Sequence, residues 1–331
     1  MERILIPCFI VIACFGFSVA KADEVIFQQG GERIVQISPT GEYIIDYIGN
    51  DGTLRSVRWT PTTNINVTVY SKFKEISDGI KYSYTIKNHK SSKQPVSGFR
   101  VLTKTAVKKN VSGPEGWRAS VIKNYDDPTV GVWADWFGKS SRAVSPGKTQ
   151  SGFEVVTTEL LGVGIAKISG AMSLLVYPDE GPEGALINFM EDGGFLKKAS
   201  GGVSRLAAIP RISVPTPFDA AVVLANIQKH VQDDMVSMQL IEPVLLGLID
   251  RSLTQAIAAA QSGNRPSLLY EIKNMRKLLK QEHADVDKDD DGDRDDEDKE
   301  KKIKSPIDKL AARVLDFDLK YIEKRVKEEK N

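Results

Sequence analysis

Near Phe218 the spacing of apolar residues changes period, from about two residues to about 3.6, and this change sets what the chain can fold into. Before it, short runs alternate apolar and polar side chains from Val25 to Val176. Tyr43-Ile44-Ile45-Asp46-Tyr47-Ile48 leads into the turn-forming Gly49-Asn50-Asp51-Gly52. Tyr82-Ser83-Tyr84-Thr85-Ile86 alternates cleanly, and Gly152-Phe153-Glu154-Val155-Val156 and Ser173-Leu174-Leu175-Val176 read as later strands. Residues 178–217 scatter Pro and Gly, ending in Pro210, Pro215 and Pro217, and read as a linker. Beyond it, Ala220 to Val231 is a first helical candidate. Leu245, Leu248, Ile249, Ala256, Ile257 and Ala260 recur at helical spacing up to Gly263, and Leu268, Ile272, Met275 and Leu279 form the next stripe. Ser305-Pro306-Ile307-Asp308 offers an N-cap, a proline at the first helical position and an acid three residues after the cap. Leu310, Val314, Phe317 and Tyr321 then follow on one face. The expected fold class is all-β followed by all-α in two domains: an antiparallel sandwich over residues 23–177, a linker over 178–217, and a small helical bundle over 218–331.

Between the last two helical stripes lies Asp287-Lys288-Asp289-Asp290-Asp291-Gly292-Asp293-Arg294-Asp295-Asp296-Glu297-Asp298. Alternate carboxylates around a central glycine match the ligand spacing of a twelve-residue calcium loop. Calcium is a hard cation that takes oxygen ligands, so Asp287, Asp289, Asp291, Asp293, Asp295 and Asp298 are the candidate metal ligands. Asp293 would serve through its backbone carbonyl, and Gly292 would take the sharp turn. The segment resembles the EF-hand calcium loop, in particular the shorter-armed variants of dockerins and thrombospondin type 3 repeats. Asp298 stands where the EF-hand has a longer, bidentate glutamate, which implies weaker binding. Arg294 stands where paired EF-hands place an apolar bridging residue, and the chain has no second loop of this kind. A paired sensor is therefore not expected. The competing reading of residues 285–304 is a solvated charged linker.

The N-terminus reads as a secretory signal over residues 1–22: Arg3, a mostly apolar run from Ile4 to Phe17, then Ala20-Lys21-Ala22 before Asp23. Val11-Ile12-Ala13-Cys14 resembles a bacterial lipobox, which would instead place a lipid on Cys14. Cys8 and Cys14 are the only cysteines, so cleavage near Ala22 removes every thiol, and with it disulfides and cysteine-ligated metals. No later stretch is long and apolar enough to span a bilayer. The net charge of +1, with dispersed basic residues, points away from a nucleic-acid surface. The expected setting is secreted, periplasmic or cell-envelope. There, loops of extracellular affinity, roughly 10⁻⁴–10⁻³ M, are useful.

The stretch from Tyr82 through Asn88 to Phe99, with Trp117, Trp133, Ser145-Pro146-Gly147 and Gly152-Phe153, looks like the immunoglobulin-like β-sandwich domains of exported bacterial proteins. That resemblance implies a fold and an envelope setting, not a reaction.

Catalytic signals are sparse. His89, His230 and His283 show no HExxH or other spaced metal pair. No GxSxG, P-loop or dinucleotide fingerprint occurs. A carboxylate pair of hydrolase type remains open because Asp and Glu are plentiful. The aromatic cluster Trp133-Ala134-Asp135-Trp136-Phe137, with Trp117 and Tyr125, is a candidate carbohydrate platform or a set of core residues. Strand alternation puts Trp133 and Trp136 on opposite faces, and Trp133 is expected in the core. The functional expectation is an exported, calcium-binding, non-enzymatic structural or adhesive protein with an unidentified protein or polysaccharide partner. The alternatives are carbohydrate binding through the aromatic cluster and, less favoured, a hydrolase.

Overall fold

The computed structural model describes residues 23–38, 40–103, 110–123, 131–171, 175–282 and 305–328. These hold three antiparallel sheets with thirteen strands, and six α-helices. The expected signal segment and the acidic loop lie outside the described residues. The chain divides into two compact units, one drawn from Met1–Thr60 and Leu174–Gly194, the other from Pro61–Ser173 and Phe195–Asn331.

The smaller unit is a meander of β1 (Glu24–Gln29), β2 (Glu32–Ile37), β3 (Glu42–Ile48) and β4 (Leu54–Trp59), paired in that order. Gly30 and Gly31 join the first two strands with φ of 60° and 93°, a two-residue turn that disfavours any Cβ. Register sets Phe27, Ile34, Ile45 and Val57 in one row across the sheet. Helix α1 (Gly184–Glu191) meets this row, with Phe189 5.1 Å from Phe27 between ring centroids. The Tyr47 hydroxyl donates to Asp179 at 2.7 Å, and Arg55 pairs with the same carboxylate at 3.0 Å. Residues far apart in sequence thus close one small core.

The larger unit carries the remaining sheets. One joins β5 (Val67–Ile76), β6 (Gly79–Asn88), β11 (Thr149–Thr157) and β8 (Val111–Ser112) in that order. The other joins β13 (Val203–Ile212), β12 (Leu160–Gly170), β7 (Val96–Thr103), β10 (Val132–Gly138) and β9 (Trp117–Lys123). Alternation turns Tyr84 and Phe153 of the first sheet toward Phe99, Trp117 and Trp136 of the second. Trp136 stacks on Phe99 at 5.1 Å and donates its indole N–H to the Ser112 carbonyl at 2.7 Å.

Helices α2 (Phe195–Ser200), α3 (Ala220–His230), α4 (Pro243–Gln261), α5 (Arg265–Glu282) and α6 (Lys309–Glu328) complete this unit. A single π turn, Val231–Met235, extends α3. The core is continuous from both sheets into α3–α6. One cause is visible along β12. Among the described residues, β7 pairs with β12 only from Ala166 onward, and no strand lies beside the earlier part of that edge. Side chains take over there: Asp318 of α6 accepts the Leu161 N–H at 3.0 Å, and His230 of α3 accepts the Val163 N–H at 3.0 Å.

Several expectations shift against this architecture. Residues 178–217 are not a bare linker: they carry α1, α2 and β13. Pro210 fits inside β13 because that strand is a sheet edge. Helix α6 starts three residues later than Ser305-Pro306 suggests. Its cap is Asp308, whose Oδ1 accepts the N–H groups of Leu310 and Ala311 at 2.8 and 3.3 Å. Ser173 and Leu174 lie outside the described residues, and Leu175–Tyr177 adopt no regular element.

Candidate functional site

Ile241 and Ile307 form an isolated antiparallel bridge ahead of α6. It is extended by Glu242 N–H to Pro306 carbonyl and Asp308 N–H to Leu240 carbonyl bonds, both 2.8 Å. Ser305 then donates its hydroxyl to the carbonyl of Glu282, the last residue of α5, at 2.8 Å. The two chain ends that flank residues 283–304 are therefore pinned to each other. Helices α5 and α6 hold together beyond this point by their own contacts. Arg276 reaches Asp316 and Glu323, each at 2.8 Å, and Met275, Leu279, Leu315 and Leu319 are buried in the common core. Asp287, Asp289, Asp291, Asp293, Asp295 and Asp298 themselves lie outside the described residues. Among the described residues no group of three or more His, Cys, Asp or Glu side chains is placed to hold a metal ion.

The tryptophans exchange the roles expected of them. Trp136 is the core residue, with no solvent exposure, and Trp117 is buried against Phe153 at 4.9 Å. Trp133 is half-buried on the opposite face of β10, opposite Leu102 of β7 and Ile122 of β9. Lys167 lies over its ring at 5.3 Å. Phe137 shares that outer face and is 47% exposed. The alternation was legible; which tryptophan faced inward was not, because both are flanked by similar residues. Tyr125 lies outside the described residues.

Of the three histidines, His283 lies outside the described residues, and His89 contacts the Thr68 hydroxyl through Nε2 at 2.8 Å. His230 is buried. Its Nε2 accepts the Val163 N–H, so Nδ1 carries the proton and donates to Asp234 at 2.7 Å. Arg211 of β13 pairs with the same carboxylate at 3.0 Å. The Asp–His pairing resembles the orienting half of a proton-transfer relay, but the Nε2 lone pair is already taken by a main-chain donor. The arrangement acts as a staple between α3, β12 and β13. Burial pulls the His230 imidazole below its ordinary value, against the upward pull of Asp234.

Asp318 was missed by sequence reasoning, although a signal existed. It falls in phase with Leu315, Leu319 and Ile322, on the face that α6 buries. It is fully buried, its Oδ2 has no hydrogen-bond partner, and burial holds the carboxyl well above the usual carboxylate range. Burial thus favours the neutral form of this carboxyl, whose Oδ1 accepts the Leu161 N–H at the edge of β12.

Two open grooves mark the larger unit. One, about 710 Å³, lies between the end of β5 and α6, with Phe73, Phe317 and Tyr321 in its walls. The other, about 650 Å³, lies around Pro215, Pro217 and Phe218 beside the end of α4. Among the described residues no helix is long and apolar enough to cross a membrane. No protein-family model matches the chain, and no curated protein does.

Proposed function

We propose that this chain is an exported, calcium-binding protein without catalytic activity, with a structural or adhesive binding role at the cell envelope or outside the cell. The observation that carries the reading is six aspartates at calcium-loop spacing around Gly292, in a segment whose ends are joined by the bond from Ser305 to Glu282. The donor set fits the ion: every candidate ligand is a hard oxygen, and none is a thiolate or imidazole. Asp287, Asp289, Asp291, Asp295 and Asp298 would hold it through carboxylates, and Asp293 through its carbonyl. Bound calcium would supply the positive charge that offsets their mutual repulsion. Because α5 and α6 pack through Arg276 and a shared core, the ion's expected effect is on the loop rather than on whether the helices assemble. In this reading the two sheets of the larger unit form the immunoglobulin-like sandwich expected from the sequence, supported by Trp136, Phe99, Tyr84 and Phe153 interleaved between them.

Calorimetry on the exported chain tests the reading. One calcium ion per chain is expected, abolished by Asp287→Ala combined with Asp291→Ala. At calcium about a hundredfold above the dissociation constant, binding should stabilise the fold by about 2.7 kcal/mol. No heat at millimolar calcium would leave the charged-linker reading standing. The intact mass of the same sample reads cleavage before Asp23 against a lipid on Cys14.

A second reading, carbohydrate binding, is favoured by one observation: Trp133 and Phe137 share the outer face of β10. It no longer involves Trp117 or Trp136, which are buried.

A further inference from the structure

We propose that the free edge of β5 beside α6 takes an extended acidic segment of a partner protein, which adds to the sheet as a further strand. The proposal rests on the reading of the chain as a binding protein and names its kind of partner.

Main-chain direction carries the argument. Asn88 donates its N–H to Lys148 at 2.9 Å and accepts from Gly147 at 2.7 Å, both on the β11 side. Its opposite residue on β5, Val67, therefore turns its N–H and carbonyl outward. Arg205 confirms that direction by donating to the Val67 carbonyl at 2.7 Å. The pairing of β5 with β6 is unbroken, so Val69, Ser71, Phe73 and Glu75 also face outward. The first part of this edge lies against β13, where Ser71 Oγ accepts the Ala208 N–H at 3.1 Å. Phe73 and Glu75 lie beyond that cover. Among the described residues their outward main-chain groups have no hydrogen-bond partner.

These groups border the groove of about 710 Å³ whose far wall is α6. An edge strand with alternating donors and acceptors recognises another extended main chain, a pattern that a sugar polymer does not present. Phe317 and Tyr321 offer apolar surface for alternate side chains of the added strand. Charge selects its chemistry. Glu323 is engaged by Arg276 at 2.8 Å and by Lys327 at 2.6 Å. Among the described residues Lys74 and Lys320, which line the groove, have no ion-pair partner, leaving positive charge there uncompensated. Lys324 and Glu75 meet across the rim at 2.8 Å, but they are 51% and 36% exposed, so an incoming carboxylate can replace Glu75 with little loss.

The probe is a fluorescein-labelled octapeptide of alternating Glu and Val, titrated into the full exported chain and read by anisotropy. Saturable binding is expected, with none for the Lys-Val counterpart. N-methylation of alternate residues should weaken binding about tenfold or more in one register and not in the other, because only one set of amides faces β5. Glu75→Pro removes one edge N–H and should weaken binding similarly. Should that variant fail to fold, the methylated peptides make the same test from the ligand side. Lys74→Glu with Lys320→Glu should also weaken binding about tenfold. Equal binding of both methylated registers overturns the proposal, as does stronger binding of soluble polygalacturonate, or no saturation at roughly millimolar peptide. Calcium calorimetry reads different residues, so either result can fail without the other.

Discussion

At the residue scale, His230 couples the fold to pH through one lone pair. Neutral, it accepts the Val163 N–H; protonated, it presents a donor to a donor. Groups facing it are Asp234 and Asp233 on its own segment and Arg211 from β13. Burial is the largest cause, and the native value falls below the ordinary 6.5. The sign follows from linkage. Below 6.5 the unfolded chain takes up a proton that the folded chain resists, so stability is lost as pH falls from there toward the lowered native value. A buried donor left unmet costs about 1–3 kcal/mol, which sets the scale of the loss once His230 is protonated. The expected measurement is a thermal midpoint that drops as pH is lowered through this window, and a shallower drop in His230→Gln. Parallel curves for the two proteins would show that other groups carry the acid sensitivity. Asp318 works in the opposite sense: burial raises its carboxyl above the ordinary carboxylate value, so stability is lost as pH rises above that ordinary value.

At the element scale, strand β10 shows what a pattern of alternation can and cannot tell. Trp136→Ala should destabilise the chain by about 3–5 kcal/mol, the usual cost of emptying a buried aromatic site. Trp133→Ala removes a half-buried ring under Lys167 and should cost about 1 kcal/mol. Denaturant titration of both variants makes the comparison, and a larger loss for Trp133 would reverse the assignment. If glycans bind this face, an array signal should vanish in Trp133→Ala and persist in Phe99-side core variants that still fold. The sequence revealed β6 and β11 because their apolar residues alternate along the strand, and β3 as a short apolar run ended by the turn signal Gly49-Asn50-Asp51-Gly52. It also revealed α3, α4 and α5, whose stripes recur at helical spacing. It hid β13, since Val203-Ser204-Arg205-Leu206-Ala207-Ala208-Ile209-Pro210 carries a proline and follows a glycine pair. Edge position, a property of the sheet rather than of the strand, makes that proline acceptable. Ser305-Pro306 imitates a helix start for a related reason. Capping chemistry is local, but the Ile241–Ile307 bridge is not, and it holds the chain extended until Asp308. Likewise the inward acid of α6 was in phase with core leucines, yet its partner, the Leu161 N–H, was distant in sequence.

At the scale of the whole molecule, the period of apolar residues separated strands from helices, whereas packing separates the chain differently. The segment Leu174–Gly194 leaves the larger unit after β12, joins the core of the meander, and returns as α2. Its ties there are specific. Phe189 meets Phe27, Tyr177 meets Tyr47 edge-on at 5.2 Å, and Asp179 receives Tyr47 and Arg55. Among the described residues, buried apolar side chains in this unit are few, chiefly Ile34, Ile45, Tyr47, Trp59, Leu186 and Met190. The larger unit instead draws one core from two sheets and four long helices. Burial of apolar area is the main favourable contribution to folding, so the smaller unit should open at lower free energy than the strands β6, β7 and β12. Hydrogen exchange on the exported chain reads this directly. Peptides from β1–β4 and from α1 should lose protection together, earlier than those from β6, β7 and β12, despite the long sequence gap between β4 and α1. Phe189→Ala should hasten exchange in both halves of the smaller unit while leaving β12 unchanged. If α1 instead kept the protection of β12 and β13, its sequence neighbours, its place in the meander core would have no energetic weight.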